Sequence, residues 1–210
     1  MTIFASRADA ARRLAASLPH YAGRNPLVLA IPRGAVEMGR VLADELEGEL
    51  DVVLVRKLGA PGNPEFAVGA VDESGWSYIA DHAASAGADA GYLAREQQRQ
   101  LEVMRRRRAL YTPTRAPIDP RGRIAIVIDD GLATGATMIT ALHATRAKEP
   151  ERLVCAVPVA APDSVELVRP YADEVVCLEM PLDFRAVGQW YARFDQVEDE
   201  AVIQLLNQPR

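Results

Sequence analysis

The feature that most constrains the fold is a set of five short, almost continuous apolar runs rich in β-branched residues. They occupy residues 27–31, 52–55, 124–128, 153–157 and 174–178. None of them alternates apolar with polar residues, which is typical of strands that are covered on both faces of a parallel sheet. The sequence therefore predicts five buried, parallel strands.

Helical patterns separate these runs. Apolar residues recur at helical spacing over 36–46, 137–147 and 164–168. Segment 1–18 is rich in Ala and Arg, as weak organelle presequences are, but its spacing behind the potential N-cap Ser6 favours an amphipathic helix that stays on the protein. This alternation predicts an α/β, doubly wound fold with a mainly parallel five-stranded sheet and helices on both faces.

Three segments interrupt the alternation. Residues 66–71 and 76–79 flank a Gly-containing turn and predict a β-hairpin, and a long polar helix is expected over 88–111. We interpret about 57–120 as a lid and hairpin insertion. Residues 180–195 carry four aromatic side chains without a clear period, and a last helix is expected over 198–206. No linker is visible, so the sequence predicts a single domain over 1–210.

The charge balance restricts the partners. Twenty-nine acidic against 24 basic residues give a net charge of −5, whereas duplex-binding proteins usually carry a basic balance, so we expect no nucleic acid partner. Four consecutive arginines at 105–108 point in different directions on a helix, and we interpret them as solvated surface. No apolar run approaches the roughly 18 residues of a membrane span. Cys155 and Cys177 lie in apolar runs without metal-binding spacing, so we expect buried thiols and a cytoplasmic protein.

Polar residues after the third strand form the most informative motif. Asp129 and Asp130 precede a loop of small residues that contains Thr134 and Thr137 and opens a helix. Loop amides, hydroxyls and a helix N-terminus suit a phosphate monoester, although the Gly-Lys-Ser/Thr of a Walker loop is missing. Adjacent carboxylates repel phosphate but accept hydrogen bonds from a vicinal diol, or bind Mg²⁺ through water. Together these features predict a site for a ribose 5-phosphate.

Residues 126–138 (IVIDDGLATGATM) closely resemble the phosphoribosyl pyrophosphate (PRPP) signature of the type I phosphoribosyltransferase family. The resemblance implies that Asp129 and Asp130 contact the ribose hydroxyls and act as metal ligands through water. It also implies a 5-phosphate site, formed by Ala133, Thr134, Gly135, Ala136 and Thr137. Some purine enzymes of the family have an acid where this chain has Ala133, whereas adenine-type enzymes have alanine. This departure argues against a hypoxanthine- or guanine-like acid–base scheme.

Cations follow the first two strands. Arg33 and Gly34 resemble the short pyrophosphate loop of the family, and Arg56 and Lys57 precede a loop rich in Gly and Pro, as active-site lids are. We therefore expect these four residues to bind pyrophosphate; the alternatives are an ordinary turn and a solvated cationic strand end. Glu65 is the only carboxylate of the predicted lid, and its similarity to a lid glutamate of adenine-type relatives makes it a candidate acid/base.

Residues 180–195 lie where the family places its hood, the small unit that closes over the nucleobase, together with the terminal segments. Phe184, Trp190 and Tyr191 are candidates for base binding, because planar bases favour aromatic faces. For each of them, packing in the core is the alternative.

The resemblance implies transfer of ribose 5-phosphate from PRPP to a small nitrogenous base, as in nucleotide salvage, with release of pyrophosphate. It also implies Mg²⁺ as cofactor and a homodimer, and Asp130, Lys57 and Glu65 are the candidate catalytic residues. One alternative is a PRPP-sensing regulator without catalysis, which an added basic or helix-turn-helix module would favour; none is visible. Another is a PRPP-forming pyrophosphokinase, which would need a second nucleotide site.

Overall fold

The computed structural model describes residues 2–113 and 116–208. Its α-helices are α1 (Arg7–Ser17), α2 (Ala35–Glu45), α3 (Ala90–Tyr111), α4 (Ala136–Arg146), α5 (Pro162–Val168) and α6 (Asp199–Asn207). Its strands are β1 (Leu27–Ala30), β2 (Glu49–Val52), β3 (Val55–Ala60), β4 (Asn63–Asp72), β5 (Ser77–Ile79), β6 (Ile124–Ile128), β7 (Arg152–Val159) and β8 (Glu174–Glu179). The predicted insertion over 57–120 and domain over 1–210 include residues 1, 114, 115, 209 and 210, which lie outside the described residues.

Five parallel strands form the central sheet, in the order β2-β1-β6-β7-β8. Side chains of alternate strand residues enter two apolar layers. Val28 and Ile126 pack with α1 and α2 on one face, whereas Leu29 and Val127 pack with α4 and α5 on the other. Because both faces of the sheet are covered, its inner strands need continuous apolar runs. The predicted α/β fold, with a mainly parallel five-stranded sheet and helices on both faces, is confirmed.

The helices begin where their sequences favour it. The backbone N–H of Asp9 donates to Ser6 Oγ (3.3 Å), which confirms Ser6 as the N-cap of α1. Asp89 caps α3 in the same way, accepting from the backbone N–H of Tyr92 at 2.7 Å. Helix α4 begins directly after Gly135, whose φ of +77° favours glycine.

The second apolar run is not one strand, as the sequence predicted for 52–55. Strand β2 ends at Val52, and β3 begins at Val55 in a separate antiparallel sheet of order β3-β4-β5. Val53 and Leu54 are buried in the bend between the two sheets. The run is continuously apolar because the core continues through this bend, so its composition does not mark where one strand ends.

The segment predicted as a lid loop is a β-hairpin formed by β3 and β4. Gly59 lies at a register irregularity, and a Cβ at this position would stand 2.6 Å from the carbonyl oxygen of Pro64. Gly62 turns the chain with a φ of +73°. Glycine and proline, which are typical of loops, here permit a bulge and a tight turn. Strand β4 also pairs with β5, so the hairpin predicted from 66–71 and 76–79 is confirmed, with a longer first strand.

The four arginines predicted as solvated surface divide into two pairs. Arg105 and Arg106 are exposed, as expected. Arg107 and Arg108 are partly buried and lie near carboxylates, Arg107 at 3.8 Å from Asp199 and Arg108 at 2.6 Å from Glu73. The second pair therefore connects α3 to α6 and to the turn after β4.

The N-terminal segment forms backbone hydrogen bonds with residues 186–195. The backbone N–H groups of Ile3 and Phe4 donate to the carbonyl oxygen of Trp190 at 3.0 and 2.9 Å, and Ala192 N–H donates to Phe4 at 2.8 Å. The segment predicted as a hood contains one short 3₁₀ helix, Val187–Trp190. Helix α6 packs against α2 and α3. Among the described residues, no helix is both long and apolar enough to span a membrane.

Candidate functional site

The candidate site lies at the point in the central sheet where the strand order changes direction. Strands β1 and β6 are neighbours in the sheet, and the strands that follow them lie on opposite sides. In open α/β sheets this arrangement leaves a crevice at the carboxyl ends of the two strands. A cleft of about 690 Å³ lies here, lined among others by Arg33, Gly34, Arg56, Lys57, Glu65, Asp129, Asp130 and Thr137. The structure therefore brings together candidates from three segments of the sequence.

Asp129 and Asp130 stand side by side at the end of β6. The backbone N–H of Asp130 donates to Asp129 Oδ1 at 2.9 Å. Burial, followed by the charge of Asp130, raises the pKa of Asp129 well above its usual range. Burial also raises the pKa of Asp130, although the Arg7 guanidinium opposes this. Two carboxylates held in this way favour a ligand that donates hydrogen bonds or carries positive charge.

Arg7 of α1 is a site residue that no motif in the sequence indicates. Its Nε and Nη2 both lie 3.0 Å from Asp130 Oδ2, and its Nη1 donates to the carbonyl oxygen of Asp195 at 2.7 Å. The guanidinium also lies 3.9 Å from the centre of the Phe194 ring. Arg7 thus connects the acid pair to the segment after β8. Nothing in the sequence separates it from other arginines of α1, yet it is only 7% exposed.

Two further contacts fix the position of Asp130. A Cβ on Gly34 would stand 2.5 Å from Asp130 Oδ2 and 3.0 Å from Arg7 Nη2, so a larger residue at position 34 would displace one of these side chains. On the other side, the Tyr191 hydroxyl donates to the backbone oxygen of Asp130 at 2.7 Å. The peptide bond between Pro32 and Arg33 is cis, a feature that the sequence does not predict.

The loop after the acid pair forms a second cavity of about 250 Å³, lined in part by residues 131–135. Ala133 and Thr134 are exposed. The loop is held from behind, because Leu132 N–H donates to the Val159 carbonyl at 3.0 Å and Ser164 Oγ donates to the Ala133 carbonyl at 2.7 Å. Helix α4 follows, and the first N–H groups of a helix lack intrahelical partners. The arrangement suits an anionic group.

The cations predicted to bind pyrophosphate all line the large cleft. Arg33 Nη1 lies 3.2 Å from Glu198 Oε2, and Lys57 Nζ donates to the backbone oxygen and Oε2 of Glu65 at 2.9 and 3.2 Å. Arg56 Nε donates to an amide oxygen of α3 at 2.9 Å. The two cavities adjoin, because both include Lys57 and Asp129. A ligand with anionic groups at two ends and hydroxyl groups between them would match this pattern of charge.

The aromatic candidates lie apart from the cations. Trp190 and Tyr191 are only 4% and 5% exposed and belong to the core, which agrees with the packing alternative for both. Phe184 is partly buried, and its ring centre lies 6.4 Å from that of Trp190. None of the three lines the 690 Å³ cleft. Their role in base binding stays a prediction.

The acid pair also suits a divalent cation. Within residues 2–113 and 116–208, no group of three or more His, Cys, Asp or Glu could hold a metal ion alone. Mg²⁺ is commonly held by one or two carboxylates together with water and substrate phosphates, and does not require an all-protein cage. Its charge would relieve the repulsion between Asp129 and Asp130. The residues present therefore fit Mg²⁺ that arrives with a phosphorylated ligand.

Comparisons with known proteins agree with this geometry. The model of the phosphoribosyl transferase domain family matches residues 2–193. Two Mycobacterium tuberculosis proteins, from strains CDC 1551 and H37Rv and both named "Putative phosphoribosyl transferase", are 40% identical over 208 residues, or 99% of this chain. The chain spans about half, 47%, of the length of these relatives.

A solved structure resembles the whole fold. The crystal structure of TT1426 from Thermus thermophilus is 46% identical, with a TM-score of 0.81 over 98% of each chain. The family suggested by residues 126–138 is thus confirmed by matches that extend over nearly the entire chain. The chain belongs to the phosphoribosyl transferase domain family.

Proposed function

We propose that this chain transfers ribose 5-phosphate from PRPP to a nitrogenous base, as in nucleotide salvage, and releases pyrophosphate. One observation carries the proposal: an acid pair lines a cleft together with several cations, and this cleft adjoins a cavity formed by the loop of small residues that precedes α4. PRPP has the matching order of groups, a 5-phosphate, two ribose hydroxyls and a diphosphate. The family match supports a transferase, and the charge pattern of the site supports the choice of donor.

Each part of the donor has a matching set of residues. The amides and hydroxyls of residues 133–137 bind the 5-phosphate, and Asp129 and Asp130 accept hydrogen bonds from the ribose hydroxyls. Arg33, Arg56 and Lys57 bind the diphosphate and stabilise the charge that develops as the bond from ribose C1 to the diphosphate oxygen breaks. The base nitrogen forms the new bond to C1. Mg²⁺, held by the acid pair through water, would supply further positive charge at the diphosphate.

The proposal leaves a specific task for Glu65. Its carboxylate is 93% exposed on β4 and paired with Lys57 at the junction of the two cavities. From this place Glu65 can exchange a proton with the incoming base while Lys57 turns to the diphosphate. Among the aromatic candidates, Phe184 is the one that is not fully buried, and we propose it as a contact for the base.

The proposal is tested by the release of pyrophosphate from PRPP and Mg²⁺ in the presence of purines, pyrimidines and pyridines. With the base that is used, Asp130→Asn and Lys57→Ala should each lower kcat/KM by about 10²–10³, the typical cost of losing one such group. Lys148→Ala is the matched control for Lys57, because Lys148 lies after α4 and does not line the cleft.

Unchanged turnover in both site variants, with normal thermal melting, would overturn the assignment of the site. Tight PRPP binding without turnover on any base would instead favour the PRPP-sensing regulator. In the proposal the protein is a cytoplasmic homodimer, and the family resemblance supports the dimer. Both cysteines are free thiols, which agrees with a reducing compartment; Cys155 is buried and Cys177 is partly buried. Light scattering of the purified protein measures the subunit number.

A further inference from the structure

Helix α3 places two buried polar side chains in the wall of the cleft. Glu96 and Gln100 are one turn apart and only 7% and 5% exposed, on a helix that is otherwise mostly polar and solvated. Both line the cleft together with Arg56 of β3. A buried amide or carboxylate costs free energy unless it is hydrogen-bonded, so the partners of these two residues explain why they are there.

The partners form one continuous chain of hydrogen bonds. Arg99 donates to the Glu96 carboxylate at 2.8 and 2.7 Å, and Gln100 Nε2 donates to Glu96 Oε1 at 2.7 Å. Gln100 Oε1 then accepts from Arg56 Nε at 2.9 Å. A carboxylate can only accept and a guanidinium can only donate. Glu96 therefore fixes which end of the Gln100 amide faces Arg56.

Because the Gln100 amide is neutral, its hydrogen bond leaves the positive charge of Arg56 uncompensated. Burial, and then the charges of Arg107, Arg99 and Arg33, lower the pKa of Arg56. A carboxylate in place of the amide would stabilise this guanidinium but would neutralise it toward the cleft. Gln100 uses one of the five N–H donors of Arg56, so the four donors on the terminal nitrogens are not consumed by this bond.

We infer that Gln100 is a positioning residue that holds the Arg56 guanidinium at the cleft, charged and oriented for the diphosphate of the substrate. Glu96 acts one step further away, by orienting the Gln100 amide. The inference rests on the proposed function, because it assumes that the ligand at Arg56 is a diphosphate. Neither residue follows from the motif at 126–138, since both belong to a different segment of the chain.

The test is a double-mutant cycle that uses inorganic pyrophosphate with Mg²⁺ as the probe. Calorimetry gives the pyrophosphate Kd of the wild type, Gln100→Met, Arg56→Ala and the double variant. Gln100→Met should weaken binding roughly tenfold, equivalent to about 1.4 kcal/mol, and should add no further loss in the Arg56→Ala background. The KM for PRPP should rise in parallel, whereas the KM for the base should stay unchanged. A merely structural role for Gln100 would not produce this selective effect.

Two further variants sharpen the result. Gln97→Met is the matched control, because Gln97 lies on the same helix but donates to the backbone oxygen of Gly75, away from the cleft. It should leave pyrophosphate binding unchanged. Glu96→Gln keeps the size of the side chain but no longer fixes the orientation of the Gln100 amide, which can then flip. It should weaken pyrophosphate binding about threefold, less than Gln100→Met does. Glu96→Gln also tests the hydrogen-bond chain to Arg56 if the Gln100→Met variant fails to fold.

The outcomes separate this inference from the proposed function. If the enzyme is active but the effects of Gln100→Met and Arg56→Ala are additive, the positioning role of Gln100 is wrong and the proposed function stands. The same conclusion follows if Gln100→Met changes nothing. A wild type that binds pyrophosphate and shows the non-additive cycle, yet turns over no base, overturns the proposed reaction and supports the positioning role. A wild type that binds no pyrophosphate overturns the inference itself.

Discussion

At the scale of single residues, the acid pair depends on a cation that lies far from it in the sequence. Arg7 and Asp130 are separated by 123 positions, and their side chains are 8% and 18% exposed. Breaking a buried ion pair leaves an uncompensated charge in the interior, which costs far more than the loss of a surface pair. The stability of the domain and the geometry of its site therefore share one contact.

Replacing Arg7 tests this contact. Arg7→Met should lower the free energy of unfolding by about 3 kcal/mol, as expected when one partner of a buried pair is removed. Urea denaturation measures the loss, and Arg12→Met, at an exposed position of the same helix, should cost little. In an Asp130→Asn background the effect of Arg7→Met should shrink, because no buried carboxylate is then left unpaired. Equal losses in both backgrounds would contradict this role of Arg7.

The site residues that could be predicted are those in local patterns. Asp129, Asp130, the residues of the following loop and Arg33 come after parallel strands, whose carboxyl ends gather side chains at one edge of the sheet. The sequence also predicts Arg56 and Lys57 after such a strand, but they lie on β3 of the antiparallel sheet, which brings them to the same cleft. Arg7, Gln100 and the hydroxyl of Tyr191 act across large separations in sequence, and each belongs to a type that is common on helices or in cores. Local spacing carries no information about such contacts.

At the scale of elements, the positions of β1, β6 and β7 follow from the apolar runs because these strands are covered on both faces. The hairpin of β3 and β4 does not follow in the same way. Its outer residues are exposed, and its glycines and prolines serve a bulge and a turn where the sequence suggested an irregular loop. Where burial is one-sided or interrupted, composition alone cannot separate a strand from a loop.

The carboxylate of Asp173 connects helix α4 to strand β7, and its contribution to stability depends on pH. Asp173, before β8, accepts from Arg146 of α4 and from the backbone N–H of Leu153 in β7, both at 2.7 Å. The hydrogen bond from Arg146 is the main reason that the pKa of Asp173 lies below its usual value of 3.8. A lowered pKa means that the unfolded state binds more protons. The stabilisation is therefore present above pH 3.8 and is lost as the pH falls below it.

The corresponding prediction concerns Asp173→Asn. At pH 7 this change should lower the free energy of unfolding by about 1 kcal/mol, since one hydrogen-bonded charge is lost at a half-exposed position. The difference from the wild type should shrink as both proteins are titrated to about pH 3. Asp183→Asn, at an exposed carboxylate, is the control. A difference that stays constant from pH 7 to pH 3 would show that the charge of Asp173 does not stabilise the fold.

At the scale of the whole molecule, cations from separate segments gather in one cleft of a chain whose net charge is negative. The chain carries −5 overall, whereas Arg33, Arg56 and Lys57 line one cleft. A small polyanion can enter such a cleft, but an extended polyanion meets the acidic remainder of the surface. We therefore expect no detectable binding of duplex DNA or single-stranded RNA at 150 mM salt in a filter assay. Submicromolar binding of either would favour a regulatory role.

The doubly wound architecture was the feature most accessible from sequence, because continuous apolar strands alternate with helices along the chain. That architecture places β1 and β6 side by side, and the two motifs after them meet as a consequence. The acceptor is less accessible. The proposed hood, residues 180–195, takes its arrangement from contacts with the N-terminal segment and not from a local motif.

The proposed transfer is tested most directly by the product balance of the reaction. Phosphorus NMR measures this balance with PRPP, Mg²⁺ and the base that gives turnover. We predict that pyrophosphate and a nucleoside 5′-monophosphate appear in a one-to-one ratio as PRPP disappears, and that Asp130→Asn forms both at least about a hundredfold more slowly. Release of pyrophosphate without a nucleotide, or loss of the 5-phosphate in its place, would contradict a transfer of ribose 5-phosphate.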